Sequence, residues 1–230
     1  MTRPITFAEG EFYHLYNRGT EKRKIFTNKS DYERFLALLF LCNGKIAVDL
    51  KLQGRTLYEL QKLPKGEPII DVCSYCLMPN HFHLLVRGKS KNGISHFMQK
   101  LLTGYTMYFN KRYKRTGALF QGKYKARHAE DDGYLSYLIA YIHLNPVKLI
   151  DSEWKENGIT NRDFAQSFLK TYRYSSFLDY IDNGRLESVI VNKDALPQYT
   201  ETRSAFERMV TDWLDYKNVD LPTILQGRTL

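Results

Sequence analysis

The chain is poor in cysteine, in long apolar runs and in acidic residues relative to basic ones. Its three cysteines among 230 residues argue against a disulfide framework, and Cys73-x-x-Cys76 lacks the second cysteine pair of a zinc ribbon. The longest apolar run, residues 35–42, is too short to span a bilayer, and the first residues lack the apolar core of a signal peptide. We therefore expect a cytoplasmic protein without a membrane partner, in which Cys73 and Cys76 are plain buried thiols.

The charge balance indicates a polyanionic partner. Lys plus Arg number 34 and Asp plus Glu 25, which gives a formal net charge of +9 and an isoelectric point near 9.3. Nucleic acid is the first such partner to consider.

One basic segment, residues 111–127, has seven cations and no acidic residue, interleaved with aromatic side chains. Cations neutralise phosphates and aromatic faces stack on unpaired bases, which is the combination that a single strand requires. A solvated basic turn with its aromatics packed inward is the alternative. With Arg18 from a smaller basic group, the predicted DNA-binding residues are Arg18, Lys111, Arg112, Lys114, Arg115, Lys123, Tyr124, Lys125 and Arg127.

Hydrophobic periodicity predicts an α+β fold. Strands are predicted at residues 12–18, 69–77 and 81–86, a further strand within 117–127, and helices at 30–42, 94–113 and 131–145. Ser30 and Glu33 fit a capping box at the first helix. The order predicts a ferredoxin-like antiparallel sheet with helices on one face.

Two parts of the chain stand outside this pattern. Residues 44–66 are mixed in character and are interpreted as an insertion or a hairpin. From residue 151 onward the sequence is polar and helical, with candidate helices at 164–169, 175–180 and 202–216. We therefore expect a main domain of residues 1–150 and a helical C-terminal extension of residues 151–230.

Two histidines begin the third predicted strand. Side chains alternate along a strand, so His81 and His83 point to the same side. Imidazole is the commonest protein metal ligand, so a pair on a rigid strand is a candidate metal site. The spacing alone is a weak signal.

Tyr141 and Asn145 supply the context. Four residues apart on one helix, they share a face. An amide oxygen from Asn145 would complete a three-ligand site with the two histidines, and Tyr141 could attack a phosphate held there. The alternatives are a packed tyrosine stripe at residues 134, 137 and 141, and an asparagine that only ends the helix. The other histidines, at positions 14, 96, 128 and 143, are interpreted as packed or surface residues.

Several segments together resemble a known family. The segment 76–86, CLMPNHFHLLV, is similar to the signature of the HUH-superfamily single-tyrosine transposases of the insertion-sequence type. Four other segments resemble, more narrowly, the REP-associated tyrosine transposases. They are YHLYNRG at 13–19, GALFQGKYK at 117–125, YIHLNPVK at 141–148 and YRYSSF at 172–177. The similarity covers roughly residues 10–180.

This resemblance implies a function and a site. It implies a ferredoxin-like catalytic domain that cleaves and transfers single-stranded DNA near hairpins through a 5′-phosphotyrosine, with a divalent ion, Mg²⁺ or Mn²⁺, and no nucleotide cofactor. His81 and His83 would bind the metal, Tyr141 would be the nucleophile and Asn145 the third ligand, where insertion-sequence relatives often have glutamine. A monomer is favoured over a dimer.

Two other functions remain open. A DNA- or RNA-binding ferredoxin-like domain would use the two histidines only structurally, and a domesticated transposase would bind hairpins without cutting them. No general base for Tyr141 is evident in the sequence.

Overall fold

A four-stranded antiparallel sheet forms the centre of the structure, a computed structural model that describes residues 6–46, 56–182, 184–197 and 200–215. Its strands are β1 (Phe12–Arg18), β2 (Ile70–Met78), β3 (His81–Gly88) and β4 (Lys125–His128). Their spatial order is β2-β3-β1-β4, and every pairing is antiparallel. The predicted α+β fold with an antiparallel sheet is confirmed.

Six of the eight helices in the described residues agree with the predicted ones to within a few residues. The eight are α1 (Lys29–Cys42), α2 (Leu57–Leu60), α3 (Gly93–Arg112), α4 (Asp132–Leu144), α5 (Trp154–Asn157), α6 (Arg162–Leu169), α7 (Phe177–Ile181) and α8 (Arg203–Asp212). The short α2 and α5 were not predicted. A 3₁₀ turn, Asn145–Leu149, follows α4, and its second residue is Pro146. The helix predicted at 202–216 ends earlier, at Asp212. Residue 216 and residues 47–55 of the predicted insertion lie outside the described residues.

Helices α1 and α3 cover one face of the sheet, as predicted. Alternate residues of β1 and β3, among them Leu15, Phe82 and Leu84, meet Phe35 of α1 and Phe97 of α3 in a single buried cluster. All five side chains are fully buried, and burying an apolar side chain of this size stabilises a fold by about 1.5–3 kcal/mol.

The first residues of α1 differ from the prediction. Asn28, not Ser30, is the N-cap, and its side chain accepts a hydrogen bond from the Ser30 amide at 3.0 Å. Asp31, not Glu33, completes the capping box. The Asp31 carboxylate is fully buried and also accepts bonds from the Tyr108 and Tyr113 hydroxyls at 3.0 and 2.7 Å. Because these tertiary donors converge on Asp31, the capping box lies two residues earlier than the sequence pattern indicated.

The opposite face of the sheet is also covered, which the prediction of helices on one face did not include. Helix α4 packs there with α6, α7 and α8. A register shift between Val72 and Ser74 places both Cys73 and Cys76 on this face, although residues three apart on a regular strand face opposite sides. Both thiols are buried and free, as predicted.

The C-terminal part is tied to the outer edge of β2. The Leu77 amide donates to the Tyr174 carbonyl, and the Ser176 amide donates to the Tyr75 carbonyl, each at 2.9 Å. The Tyr75 hydroxyl, buried in the core, donates to Asp179 at 3.0 Å. These bonds satisfy backbone groups that an edge strand would otherwise expose. The domain boundary expected at residue 150 stays a prediction.

In the described part of the chain, no helix is both long and apolar enough to cross a membrane.

Candidate metal and nucleophile site

His81 and His83 lie side by side on the face of β3 that α4 covers. Their ring centroids are 5.0 Å apart and the ring planes are nearly perpendicular. His83 is buried and His81 is half-buried at the start of the strand. Because β3 is paired on both sides, by β2 and β1, the two backbone positions are rigid.

Both rings are neutral at neutral pH and can offer a lone pair. Burial lowers the pKa of His81 to about 4, helped by the positive charges of Arg18 and Lys148. Burial, then the neighbouring His81, holds the pKa of His83 well below its ordinary value. The Nδ1 of His81 lies 2.7 Å from the Asn80 Oδ1, an atom that only accepts, so Nδ1 donates and Nε2 carries the lone pair. Neutral imidazole is the form that binds metals.

Helix α4 brings Tyr141 and Asn145 to the same place. The Tyr141 ring centroid is 5.5 Å from that of His83, edge to face. The Asn145 Nδ2 donates to the Tyr141 backbone carbonyl at 2.8 Å, which closes the last turn of the helix. The Asn145 side chain also has hydrogen-bonding contact with the His81 ring and the Tyr141 phenol. The structure therefore brings together all four residues that the sequence singled out.

Burial makes the Tyr141 phenol a weak acid. Burial, then the neighbouring Tyr137, raises the pKa of Tyr141 well above 10, and the bond to Asn145 opposes this only in part. A nucleophilic phenol at this position needs a nearby positive charge.

Lys155 of α5 supplies such a charge in its protonated form, although no pattern in the sequence indicates it. Its Nζ lies 3.8 Å from the Tyr141 ring centroid, in cation–π contact. Burial, then Lys148, lowers the pKa of Lys155 to about 7. Its positive charge also acts on His14, His81 and His83. No sequence spacing links Lys155 to α4, so only the fold could reveal it.

His14 of β1 is the second residue that was missed. It is fully buried, its Nε2 lies 2.9 Å from the Nδ1 of His83, and its ring centroid is 5.9 Å from that of Tyr141. It had been interpreted as one of several packed or surface histidines. The alternation of side chains along β1 could have indicated His14. Once β1 pairs with β3, positions 12, 14, 16 and 18 of β1 lie on the same face of the sheet as His83.

The donor chemistry fits a divalent ion. In the described residues no group of three or more His, Cys, Asp or Glu side chains converges as a metal site. The candidate donors are instead two imidazole Nε2 atoms and the Asn145 amide oxygen, all uncharged. Imidazoles favour a transition ion, and an amide oxygen and phosphate oxygens suit Mn²⁺ or Mg²⁺, so Mn²⁺ fits this mixed set better than Mg²⁺.

Seven of the nine predicted DNA-binding residues fall into two groups. Arg18 lies opposite His81, Lys125 opposite Tyr16 and Arg127 opposite His14 in the sheet register, all on the face of the site. The other group is at the C-terminal end of α3, which packs on the other face: Lys111, Arg112, Lys114 and Arg115. Lys123 is exposed, whereas the Tyr124 ring packs against the core formed with α1 and α3.

The chain was compared with protein families and with solved structures. Residues 54–145 match the family model described as "Transposase IS200 like". A structure of a REP-associated tyrosine transposase bound to a REP hairpin shares the fold, with a TM-score of 0.52 and 11% identity over 86% of this chain and 94% of that one. A tRNA(His) guanylyltransferase from Saccharomyces cerevisiae covers 97% of this chain and 86% of its own at 8% identity, but its TM-score of 0.33 supports no argument. Among curated proteins none matches.

Proposed function

We propose that this chain, whose residues 54–145 match the model of IS200-like transposases, is a metal-dependent endonuclease and strand transferase of single-stranded DNA. It would act near hairpins and form a 5′-phosphotyrosine through Tyr141. The resemblance found in the sequence motifs is confirmed at the level of the transposase family, and the fold is that of a REP-associated tyrosine transposase.

One observation carries the proposal. The Tyr141 ring lies 5.5 Å from the His83 ring, and Asn145 contacts both the Tyr141 phenol and the His81 ring. A nucleophile and three neutral donor groups thus share one pocket. A tyrosine packed only for stability requires neither free imidazole lone pairs nor an amide side chain at its hydroxyl.

His81, His83 and Asn145 would hold the divalent ion. When bound, such an ion supplies Lewis-acid polarisation of the scissile phosphate and orients it. Other contacts within the chain orient these ligands. Asn80 orients the His81 imidazole, and Asn145 fixes its own amide by its bond to the Tyr141 carbonyl.

The chemical step exchanges one phosphate ester for another. The Tyr141 hydroxyl gives its proton to water, its oxygen forms a bond to phosphorus, and the bond from phosphorus to the 3′ oxygen breaks. The departing oxygen takes a proton from water and becomes a free 3′-hydroxyl. Because the new ester stores the energy of the old one, the second transfer needs no nucleotide cofactor. Lys155, beside the Tyr141 ring, would offset the negative charge that develops on the phenol and on the phosphate.

The DNA strand would reach Tyr141 across β1 and β4. Arg18 and Lys125 are exposed and Arg127 is half-buried on this side, with the half-buried Tyr16 ring between them. Cations around an aromatic face suit a single strand. The basic residues at the end of α3 would contact the duplex stem through its phosphates.

The pocket is assembled within one chain. His81, His83, Tyr141 and Asn145 meet without a second subunit, which supports a monomer over a dimer that exchanges the tyrosine helix. A cytoplasmic location belongs to the same proposal.

The test uses an end-labelled single-stranded hairpin oligonucleotide with Mn²⁺. We expect a covalent protein–DNA adduct that is lost in Tyr141→Phe and in His81→Ala. Tyr137→Phe is the matched control, because Tyr137 lies one turn earlier on α4 with its ring 5.7 Å from that of Tyr141. The control should keep the adduct.

Other outcomes are equally informative. Hairpin binding without any adduct would favour the alternative of a domesticated binder that does not cut. An adduct that persists in Tyr141→Phe would refute the assignment of the nucleophile, and one that persists in His81→Ala would refute the metal site.

A further inference from the structure

His14 lies directly behind the proposed metal ligand His83. The two rings are stacked, with centroids 5.1 Å apart and planes 25° apart, and the exposed fractions are 0% for His14 and 3% for His83. Water cannot easily replace either partner in such a buried pair. The bond between His14 Nε2 and His83 Nδ1, at 2.9 Å, therefore determines which nitrogen of His83 carries a proton.

Only one proton fits between these two nitrogens, so two arrangements are possible. If His83 Nδ1 donates, its Nε2 has a free lone pair that faces the site. If His14 Nε2 donates, the neutral His83 ring must carry its own proton on Nε2 and cannot coordinate an ion there. Both rings are buried, which disfavours the charged, doubly protonated form of either one.

We propose that His14 is a positioning residue that accepts the proton of His83 Nδ1 and so fixes the His83 Nε2 lone pair toward the divalent ion. This inference rests on the proposed metal site. Asn80 does the same for His81 through its Oδ1 atom. Ligating histidines are generally held by such a second hydrogen bond, and its loss costs about 10- to 100-fold in metal affinity.

The proposed hydrogen bond also determines which nitrogen of His14 carries a proton. When His14 accepts at Nε2, its own proton is on Nδ1, and that buried atom has no hydrogen-bond partner among the described residues. Glutamine would place an amide oxygen near the position of Nε2. Asparagine is one methylene shorter and cannot reach His83 Nδ1.

The experiment measures binding of Mn²⁺ alone to the full-length protein, from the electron paramagnetic resonance signal of the free ion. The proteins are wild type, His83→Ala, His14→Leu, His14→Asn and His14→Gln. Thermal unfolding without metal and hairpin affinity show which variants are folded. His14→Gln and His14→Asn are a matched polar pair, so they keep the test decisive even if the leucine variant does not fold.

We expect wild type to bind Mn²⁺ in a manner that requires His83. Affinity should fall about 10- to 100-fold in His14→Leu and His14→Asn, and stay within about threefold of wild type in His14→Gln. Wild-type affinity in folded His14→Leu or His14→Asn, with binding lost in His83→Ala, would overturn the role of His14 and leave the metal site intact. A glutamine variant as weak as the asparagine variant would overturn it too. No His83-dependent binding in wild type would overturn both proposals.

Discussion

Acid should destabilise this protein through histidines that folding holds neutral, and His143 is the clearest case. It is fully buried, with Nδ1 2.8 Å from the Ile139 carbonyl oxygen and Nε2 2.8 Å from the Ser176 hydroxyl. The rings of Phe177, Tyr180 and Phe206 lie steeply inclined to it, in T-shaped contact. Burial, opposed only in part by the bond to Ile139, lowers the pKa of His143 to about 3.

The sign and the size of the effect follow from proton linkage. In the unfolded chain a histidine has a pKa of about 6.5, so between pH 6.5 and pH 3 the unfolded state binds a proton that the folded state does not. The free energy of unfolding therefore falls as the pH falls through this window, and the contribution of His143 is complete above it. From pH 7 to pH 5 one such histidine costs about 2 kcal/mol.

Urea unfolding followed by circular dichroism at pH 7, 6 and 5 tests this value. His143→Gln cannot titrate, so we expect it to lose about 2 kcal/mol less than wild type between pH 7 and pH 5, whatever its stability at pH 7. His96→Gln, at an exposed position on α3, is the matched control and should show the full wild-type loss. Equal losses in wild type and His143→Gln would refute the reasoning.

Three further predictions concern the site and the fold. In single-turnover assays, Lys155→Met should slow adduct formation about 10- to 100-fold, while hairpin affinity stays within threefold of wild type. Lys155→Arg should recover part of the rate. An unchanged rate in Lys155→Met would contradict the role of Lys155. Lys125→Gln and Arg127→Gln should each reduce the salt dependence of hairpin binding by about one unit of slope, whereas Lys62→Gln, exposed beside α2, should leave the slope unchanged. Asp31→Ala should lower the free energy of unfolding by about 2–4 kcal/mol in urea titrations, because the carboxylate accepts hydrogen bonds from Thr27, Tyr108 and Tyr113. A loss below about 1 kcal/mol would argue against that hydrogen-bond network.

The parts of the site that lie within one element were predictable. His81 and His83 share a face because a strand has a period of two, and Tyr141 and Asn145 share a face because a helix repeats every 3.6 residues. That the two pairs meet was predicted from the order of the motifs and from the family resemblance. The fold brings the four residues together, while their chemical roles stay predictions.

The parts that depend on contacts between elements were not predictable. His14 looked like any packed histidine until β1 was paired with β3, and Lys155 belongs to a four-residue helix with no link to α4 in the sequence. The register shift in β2 placed Cys73 and Cys76 together against strict alternation. The capping box at α1 lies where tertiary donors meet Asp31, although Ser30 and Glu33 have the same local pattern.

Local stereochemistry accounts for what the sequence alone determined: the types and approximate limits of the elements, the excess of positive charge, and which side chains share a face within each strand or helix. The tertiary structure alone decided which faces meet. It set the strand order β2-β3-β1-β4, placed a second helical layer over the sheet, and put His14 and Lys155 beside the imidazole pair and the phenol. The physical reason is that periodicity is set by neighbours along the chain, whereas pairing register and burial are set by residues that are distant in sequence.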